Sequence, residues 1–210
     1  MNNKKDLIDK LKLYLVTDRK IAKLPLTSVI REALRGGVRA VQLREKDLSS
    51  RELYDLAKKI RKITREKKAL FFINDRIDIA LAAGADGVHL GLQSVPADEA
   101  RKLTGNKFII GVSTHSLKEA LRAQKEGADY ITFGPVYQTP SKEGLVDFKG
   151  PGAVKRVREK INIPLIAIGG IKEVNARDVV LMGADGIAVI SAIMADGKPY
   201  MAARRLVEEL

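Results

Sequence analysis

The sequence predicts a single (β/α)8 barrel, and three observations carry that prediction. About eight short apolar runs alternate with about eight segments of helical spacing, the count of a closed barrel of parallel strands at the short end of its size range. One phrase recurs: Gly84-Ala85-Asp86-Gly87, Gly127-Ala128-Asp129-Tyr130 and Gly183-Ala184-Asp185-Gly186 each run straight into an apolar stretch. Each has a glycine at a helix end, a tight turn and then a buried strand. Finally, no Gly-x-Gly-x-x-Gly follows the first strand and no Walker A motif occurs. That weakens the doubly wound sheets, which share the same right-handed alternation.

Composition is consistent with one domain over 1–210, preceded by a polar N-terminal extension at 1–12. With 45% hydrophobic and 30% charged residues, the chain is that of an ordinary globular protein with a sizeable core. No apolar run reaches membrane-spanning length, and the N-terminus has no signal-peptide core, so cytoplasmic location is expected. Cysteine is absent, which excludes disulfides, zinc–thiolate sites and thiol nucleophiles. The net charge is +12, with Lys58, Lys59, Arg61, Lys62, Arg65, Lys67 and Lys68 crowded into one segment. That segment carries Leu53, Leu56, Ala57, Ile60 and Ile63 on one helical stripe and no interleaved aromatics. A solvated face is expected rather than a nucleic-acid surface, and the positive field favours anionic small-molecule substrates. A homo-oligomer is compatible with this composition.

In chain order, 13–17 (Leu-Tyr-Leu-Val-Thr) is the first strand, stopped by Asp18 and Arg19. Val29, Ile30, Ala33 and Leu34 mark a helix that ends at Gly36-Gly37. The second strand is 40–44. Ser49-x-x-Glu52 is a capping box that opens the long basic helix. The third strand, 70–73, is closed by Asn74-Asp75, and a helix over 77–83 stops at Gly84. The recurring phrases supply strands four, six and eight, while 108–112 and 164–168 supply five and seven. The remaining helices fall near 98–103, 116–125, 152–160 and 174–182, the second opened by Ser116-x-x-Glu119.

A barrel places its active site at the C-terminal ends of the strands. Strand two ends in Gln42, Arg44 and Lys46, pairing a rigid fork of donors with a mobile point charge, as phosphate sites often do. Asn74-Asp75 follows strand three. Asp75 is a candidate Mg2+ carboxylate and equally a candidate N-cap of the next helix. His89 on strand four is read as structural. Ser113-Thr114-His115 follows strand five, where His115 is a candidate proton carrier or a loop anchor. The loop over 134–150 carries Thr139-Pro140-Ser141-Lys142 and is read as a lid closing on phosphate or as plain surface. Gly169-Gly170 and Ile190-Ser191-Ala192 sit where barrels commonly bind phosphate, although the two glycines could merely make the turn.

These motifs together resemble the thiamine phosphate synthase/TenI family over nearly the full chain. The resemblance rests on LYLVTD at 13–18, VQLREK at 41–46, FIND at 72–75, GADGVHLG at 84–91, GVSTHS at 111–116, GPVYQTPSK at 134–142, IGGI at 168–171 and AVISA at 188–192. It implies a transferase coupling hydroxymethylpyrimidine pyrophosphate to thiazole phosphate with release of pyrophosphate. It further implies that Arg44, Lys46, Asn74 and Lys142 hold the pyrophosphate, that Asp75 binds Mg2+, and that Gln42 and Ser113 face the pyrimidine. Thr139, Ser141, Gly170, Ile190 and Ser191 would cradle the thiazole phosphate. The catalytic set so implied is Arg44, Lys46, Lys142, Ser113 and His115. One position departs from the synthase pattern, since Ser94 stands where a second Mg2+ carboxylate is expected. Together with His115-Ser116, this also fits the TenI-like thiazole tautomerase, in which His115 would be the acid/base. A non-catalytic regulatory barrel is the third reading.

Overall fold

The computed structural model describes residues 4–139 and 148–210. Eight parallel strands close in sequence order: β1 (Leu13–Val16), β2 (Ala40–Leu43), β3 (Leu70–Asn74), β4 (Gly87–Leu90), β5 (Ile109–Thr114), β6 (Tyr130–Phe133), β7 (Leu165–Ile168) and β8 (Gly186–Val189). The barrel is the one the alternation predicts. The helices between and around them are α1 (Lys4–Leu11), α2 (Leu26–Gly36), α3 (Ser50–Glu66), α4 (Ile77–Ala83), α5 (Ala97–Thr104), α6 (Leu117–Lys125), α7 (Pro151–Arg158), α8 (Glu173–Leu181), α9 (Ser191–Met194) and α10 (Pro199–Val207). No helix among the described residues is long and apolar enough to cross a membrane.

Strand parity divides the core in two. Tyr14, Val16, Ala40, Phe72, Tyr130, Ile166 and Ala188 fill the barrel interior, whereas Leu15, Val41, Phe71, Val88, Ile131 and Ile187 meet the helices outside. The stretch expected to be a polar extension, 1–12, is helical over Lys4–Leu11. Its Leu7 and Leu11 are buried against the interior cluster, sealing the N-terminal end of the barrel. A helix of eight residues whose apolar positions are Leu7, Ile8 and Leu11 among five charged ones gives little periodic signal, so its polar composition misleads.

The long basic helix forms as its cap predicts. Ser49 Oγ accepts from Glu52 N–H and the Glu52 carboxylate accepts from Ser49 N–H. Leu53, Ala57, Ile60 and Ile63 are buried, and the cations on the far side are exposed except Arg61.

Arg61 explains the recurring Gly-Ala-Asp phrase. Its guanidinium forks onto Asp86 at 2.7 and 2.8 Å, and Asp86 also accepts the Phe71 N–H of β3 at 2.8 Å. The pattern repeats with Arg101, Asp129 and the Ile110 N–H of β5, and again with Arg158, Asp185 and the Leu165 N–H of β7. Each aspartate thus ties a strand start to the helix before it. The three clamps lie at the N-terminal face, where barrels keep stability rather than chemistry. Asp86→Ala would strand both the half-buried Arg61 and a backbone donor. It is expected to cost about 2–4 kcal/mol, read as a lower denaturation midpoint at unchanged slope.

Candidate active site

Strand β2 leaves the barrel with alternating charge: Arg44, Glu45, Lys46, Asp47. Both acids are taken up by the segment after β1. The buried Glu45 carboxylate accepts from Thr17 Oγ1 at 2.7 Å, from the Arg19 N–H at 3.1 and 3.2 Å, and from Arg19 Nη1 at 3.0 Å. Arg19 also forks onto Asp47 at 2.6 and 2.8 Å, which holds the Asp47 carboxyl well below the usual carboxylate range. The Arg44 backbone N–H donates to Thr17 Oγ1 at 3.0 Å, fixing where its side chain starts. Among the described residues, neither the Arg44 guanidinium nor the Lys46 ammonium has a carboxylate partner. Glu45 and Asp47 are thus engaged by Arg19 rather than by Arg44 or Lys46. Sequence reasoning missed Glu45, Thr17 and Arg19, because the pairing spans two loops that meet only when β1 and β2 lie side by side.

Asn74 ends β3, half-buried, and Asp75 follows with φ +65° and an exposed carboxylate. The N-cap of α4 is Arg76, with no side-chain cap, so Asp75 is not the cap it could have been. Instead Ser94 Oγ donates to Asp75 Oδ1 at 2.5 Å while accepting from the Gly91 N–H at 2.8 Å. No cluster of three or more His, Cys, Asp or Glu side chains suited to a metal occurs among the described residues. Mg2+ fits here only as a one-carboxylate case, which that ion accepts when substrate phosphates complete its shell. The hydrogen bond places the Ser94 hydroxyl beside the Asp75 carboxylate, so both oxygens of such a site lie close together.

Strand β5 runs two residues further than the apolar run suggests, so Ser113 and Thr114 belong to it. Ser113 Oγ lies 2.9 Å from His89 Nε2, His89 Nδ1 lies 3.1 Å from the Tyr130 hydroxyl, Tyr130 lies 3.0 Å from the Tyr14 hydroxyl, and Tyr14 accepts from Gln42 Nε2 at 2.9 Å. His89 is thus inside the barrel, its ring between the two site residues Gln42 and Ser113. Burial, helped by the Arg44 charge, pushes its pKa down to about 3, so it is neutral. Burial likewise holds the Tyr14 and Tyr130 hydroxyls protonated. The structural reading of His89 survives, but the tyrosines were missed, since each reads locally as one more apolar strand residue.

His115 stands outside this network. Its backbone N–H donates to the Glu119 carboxylate at 2.6 Å and its Nδ1 lies 3.3 Å from the same oxygen. It anchors the entry to α6, where Ser116 Oγ accepts from the Glu119 N–H. Gly169 and Gly170 have φ of +98° and +67°. A Cβ at Gly169 would come 2.6 Å from Pro135 Cα, and one at Gly170 would come 2.5 Å from the Gln138 carbonyl. These glycines are needed both for the turn and for the close passage of the chain leading to Thr139. Ile190 and Ser191 open α9 directly after β8. Ser141 and Lys142, with the rest of 140–147, lie outside the described residues. The strand ends thus bring together Gln42, Arg44, Lys46, Asn74, Asp75 and Ser113 around one mouth, with Gly170 and Ile190-Ser191 on its far side.

The family described as thiamine monophosphate synthase matches residues 13–193. A putative thiamine-phosphate synthase of Geobacter sulfurreducens is 51% identical over 196 residues, covering 93% of this chain and 92% of its own. The thiamine-phosphate synthase of Pyrococcus furiosus is 45% identical over 210 residues, covering 98% and 99% respectively. The solved structure of a thiamine phosphate pyrophosphorylase from Pyrococcus furiosus superposes with a TM-score of 0.90 at 44% identity, covering 97% of this chain and 96% of that one.

Proposed function

Because the chain belongs to the thiamine monophosphate synthase family, we propose that it couples hydroxymethylpyrimidine pyrophosphate to thiazole phosphate, releasing pyrophosphate. The observation that carries this reading is the charge arrangement just after β2, where Arg19 and Lys20 pair with the two acids, and Arg44 and Lys46 have no carboxylate partner among the described residues. The reaction needs no nucleophile from the protein. The bond between the pyrimidine's methylene carbon and the pyrophosphate oxygen breaks with its electron pair on oxygen. The lone pair of the thiazole nitrogen then forms the new carbon–nitrogen bond, and no proton is exchanged.

What the protein contributes is stabilisation of a departing polyanion by fixed cations and donors. Arg44, Lys46 and Asn74, with Lys142 from the segment outside the described residues, are assigned to the pyrophosphate. Gln42 and Ser113 are assigned to the pyrimidine. Thr139, Ser141, Gly170, Ile190 and Ser191 are assigned to the thiazole phosphate. Asp75 and Ser94 would hold Mg2+, which when bound neutralises charge on the leaving group. The likeness to thiamine-phosphate synthases over nearly the whole chain supports the synthase over a thiazole tautomerase.

The test is a turnover assay with the pyrimidine pyrophosphate, thiazole phosphate and Mg2+, following thiamine phosphate by fluorescence after oxidation. Product is expected, with its formation halted by a chelator and the rate of His115→Ala within about threefold of the parent, as for a residue that anchors a loop. A folded protein that makes no product, yet isomerises a thiazole in a His115-dependent way, would replace the synthase by the tautomerase.

A further inference from the structure

One chain of buried polar side chains crosses the barrel interior from the end of β2 to the end of β5: Gln42, Tyr14, Tyr130, His89, Ser113. Its hydrogens are not independent. Gln42 Nε2 donates to the Tyr14 hydroxyl, so the Tyr14 hydrogen must find another acceptor, and the Tyr130 oxygen at 3.0 Å is the polar atom within reach. The Tyr130 hydrogen in turn goes to His89 Nδ1. A neutral imidazole whose Nδ1 accepts carries its hydrogen on Nε2. That hydrogen points at Ser113 Oγ at 2.9 Å, with Thr132 Oγ1 at 3.3 Å beside it.

The order of donors therefore runs one way through the barrel and fixes both ends. At the first end the bond to Tyr14 turns the Gln42 amide nitrogen, with its second hydrogen, inward, so that Oε1, which has no hydrogen-bond donor among the described residues, is turned the other way. At the other end Ser113 accepts from the ring, which frees its own O–H to donate. The rings cannot swing to undo this. Phe72 meets Tyr14 and Tyr130 edge-on at 5.5 Å each, and Tyr130 lies against the site of the missing Gly111 side chain.

We propose that Tyr14, Tyr130 and His89 are positioning residues that set the polarity of the pyrimidine site, holding Gln42 as an acceptor and Ser113 as a donor. This rests on the assignment of Gln42 and Ser113 to the pyrimidine. An acceptor paired with a donor suits an aminopyrimidine, which offers an amino hydrogen beside a ring-nitrogen lone pair. The corresponding pyrimidinone offers an N–H beside a carbonyl oxygen, so its pattern is reversed along the ring edge. A buried polar group left facing its own kind is costly, so the site discriminates between the two by polarity as well as by shape.

Two measurements test this on the full chain. The sequence holds two histidines, so long-range proton–nitrogen correlation of 15N-labelled protein resolves each ring, with His115→Asn assigning the pair. His89 is expected as a single neutral form protonated on Nε2; an Nδ1-protonated or doubly protonated ring would overturn the direction of the chain. Calorimetric binding of the aminopyrimidine pyrophosphate and its pyrimidinone analogue supplies the second readout. Tyr14→Phe keeps the ring but releases the Gln42 amide, and should cut the preference for the amino compound by about 5–10-fold, the worth of one ordinary hydrogen bond. An unchanged preference in folded Tyr14→Phe would overturn the positioning role. Binding of neither compound to the parent would remove the pyrimidine from this mouth and overturn the proposal, whatever the ring form. Binding without turnover would instead leave the polarity intact and count against the synthase alone.

Discussion

Arg44→Ala is expected to lower both kcat and kcat/KM for the pyrimidine pyrophosphate by about a hundred- to thousandfold, the usual cost of removing one preorganised donor from a developing anion. Negative charge grows on the leaving oxygens as the carbon–oxygen bond stretches, so the guanidinium binds the transition state better than the ground state. Its loss should therefore appear in kcat and not only in KM. The fold should not suffer. Among the described residues the Arg44 side chain has no carboxylate partner to strand, and its backbone bond to Thr17 is kept. Arg44→Lys should recover part of the rate but not the bidentate grip. Steady-state kinetics beside a denaturation curve decide the matter: near-normal kcat in a folded Arg44→Ala would take the pyrophosphate away from β2.

The same segment shows how far the sequence could be read. Alternation within 41–46 placed Gln42 and Arg44 together at a strand end, since strand parity is a local property. It could not show that Glu45 is buried and spent on Arg19, because that depends on which loop the neighbouring strand delivers. The recurring aspartates have the same character. Their spacing marks three equivalent turns, yet their partners Arg61, Arg101 and Arg158 lie one helix back and become neighbours only when each crossover closes. β5 was cut short because Ser113 and Thr114 are polar, although both remain in register with β6. In a barrel the interior near the mouth is where polar strand residues belong, so apolar runs underestimate strand length on the functional side. Tyr14 and Tyr130 were invisible for the converse reason. Their rings fill the core as any aromatic would, and only the meeting of their hydroxyls at 3.0 Å makes them part of the site.

That meeting depends on a glycine, and Gly111→Ala should be among the most disruptive single-methyl additions in the chain. A Cβ there would lie 2.2 Å from Tyr130 Cζ, 2.4 Å from its hydroxyl and 2.5 Å from Cε1. The ring is fully buried, with Phe72 and Tyr14 against its faces and edges, so it has no free direction in which to yield. Overpacking of this kind costs about 3 kcal/mol at the upper end of its usual range, or about 6–12 °C in Tm for a chain of this size. Gly127→Ala is the control. Its φ of +84° imposes backbone strain, but nothing lies within 4 Å of its Cβ position, so about 1–2 kcal/mol is expected. The cause is separable from general fragility by pairing Gly111→Ala with Tyr130→Leu. If the methyl acts by striking the ring, the double variant should lose less than the sum of the two single losses, by more than the roughly 0.5 kcal/mol within which independent sites add. Strict additivity would mean that Gly111 matters for its backbone, and that the position of the Tyr130 hydroxyl is set from elsewhere in the barrel.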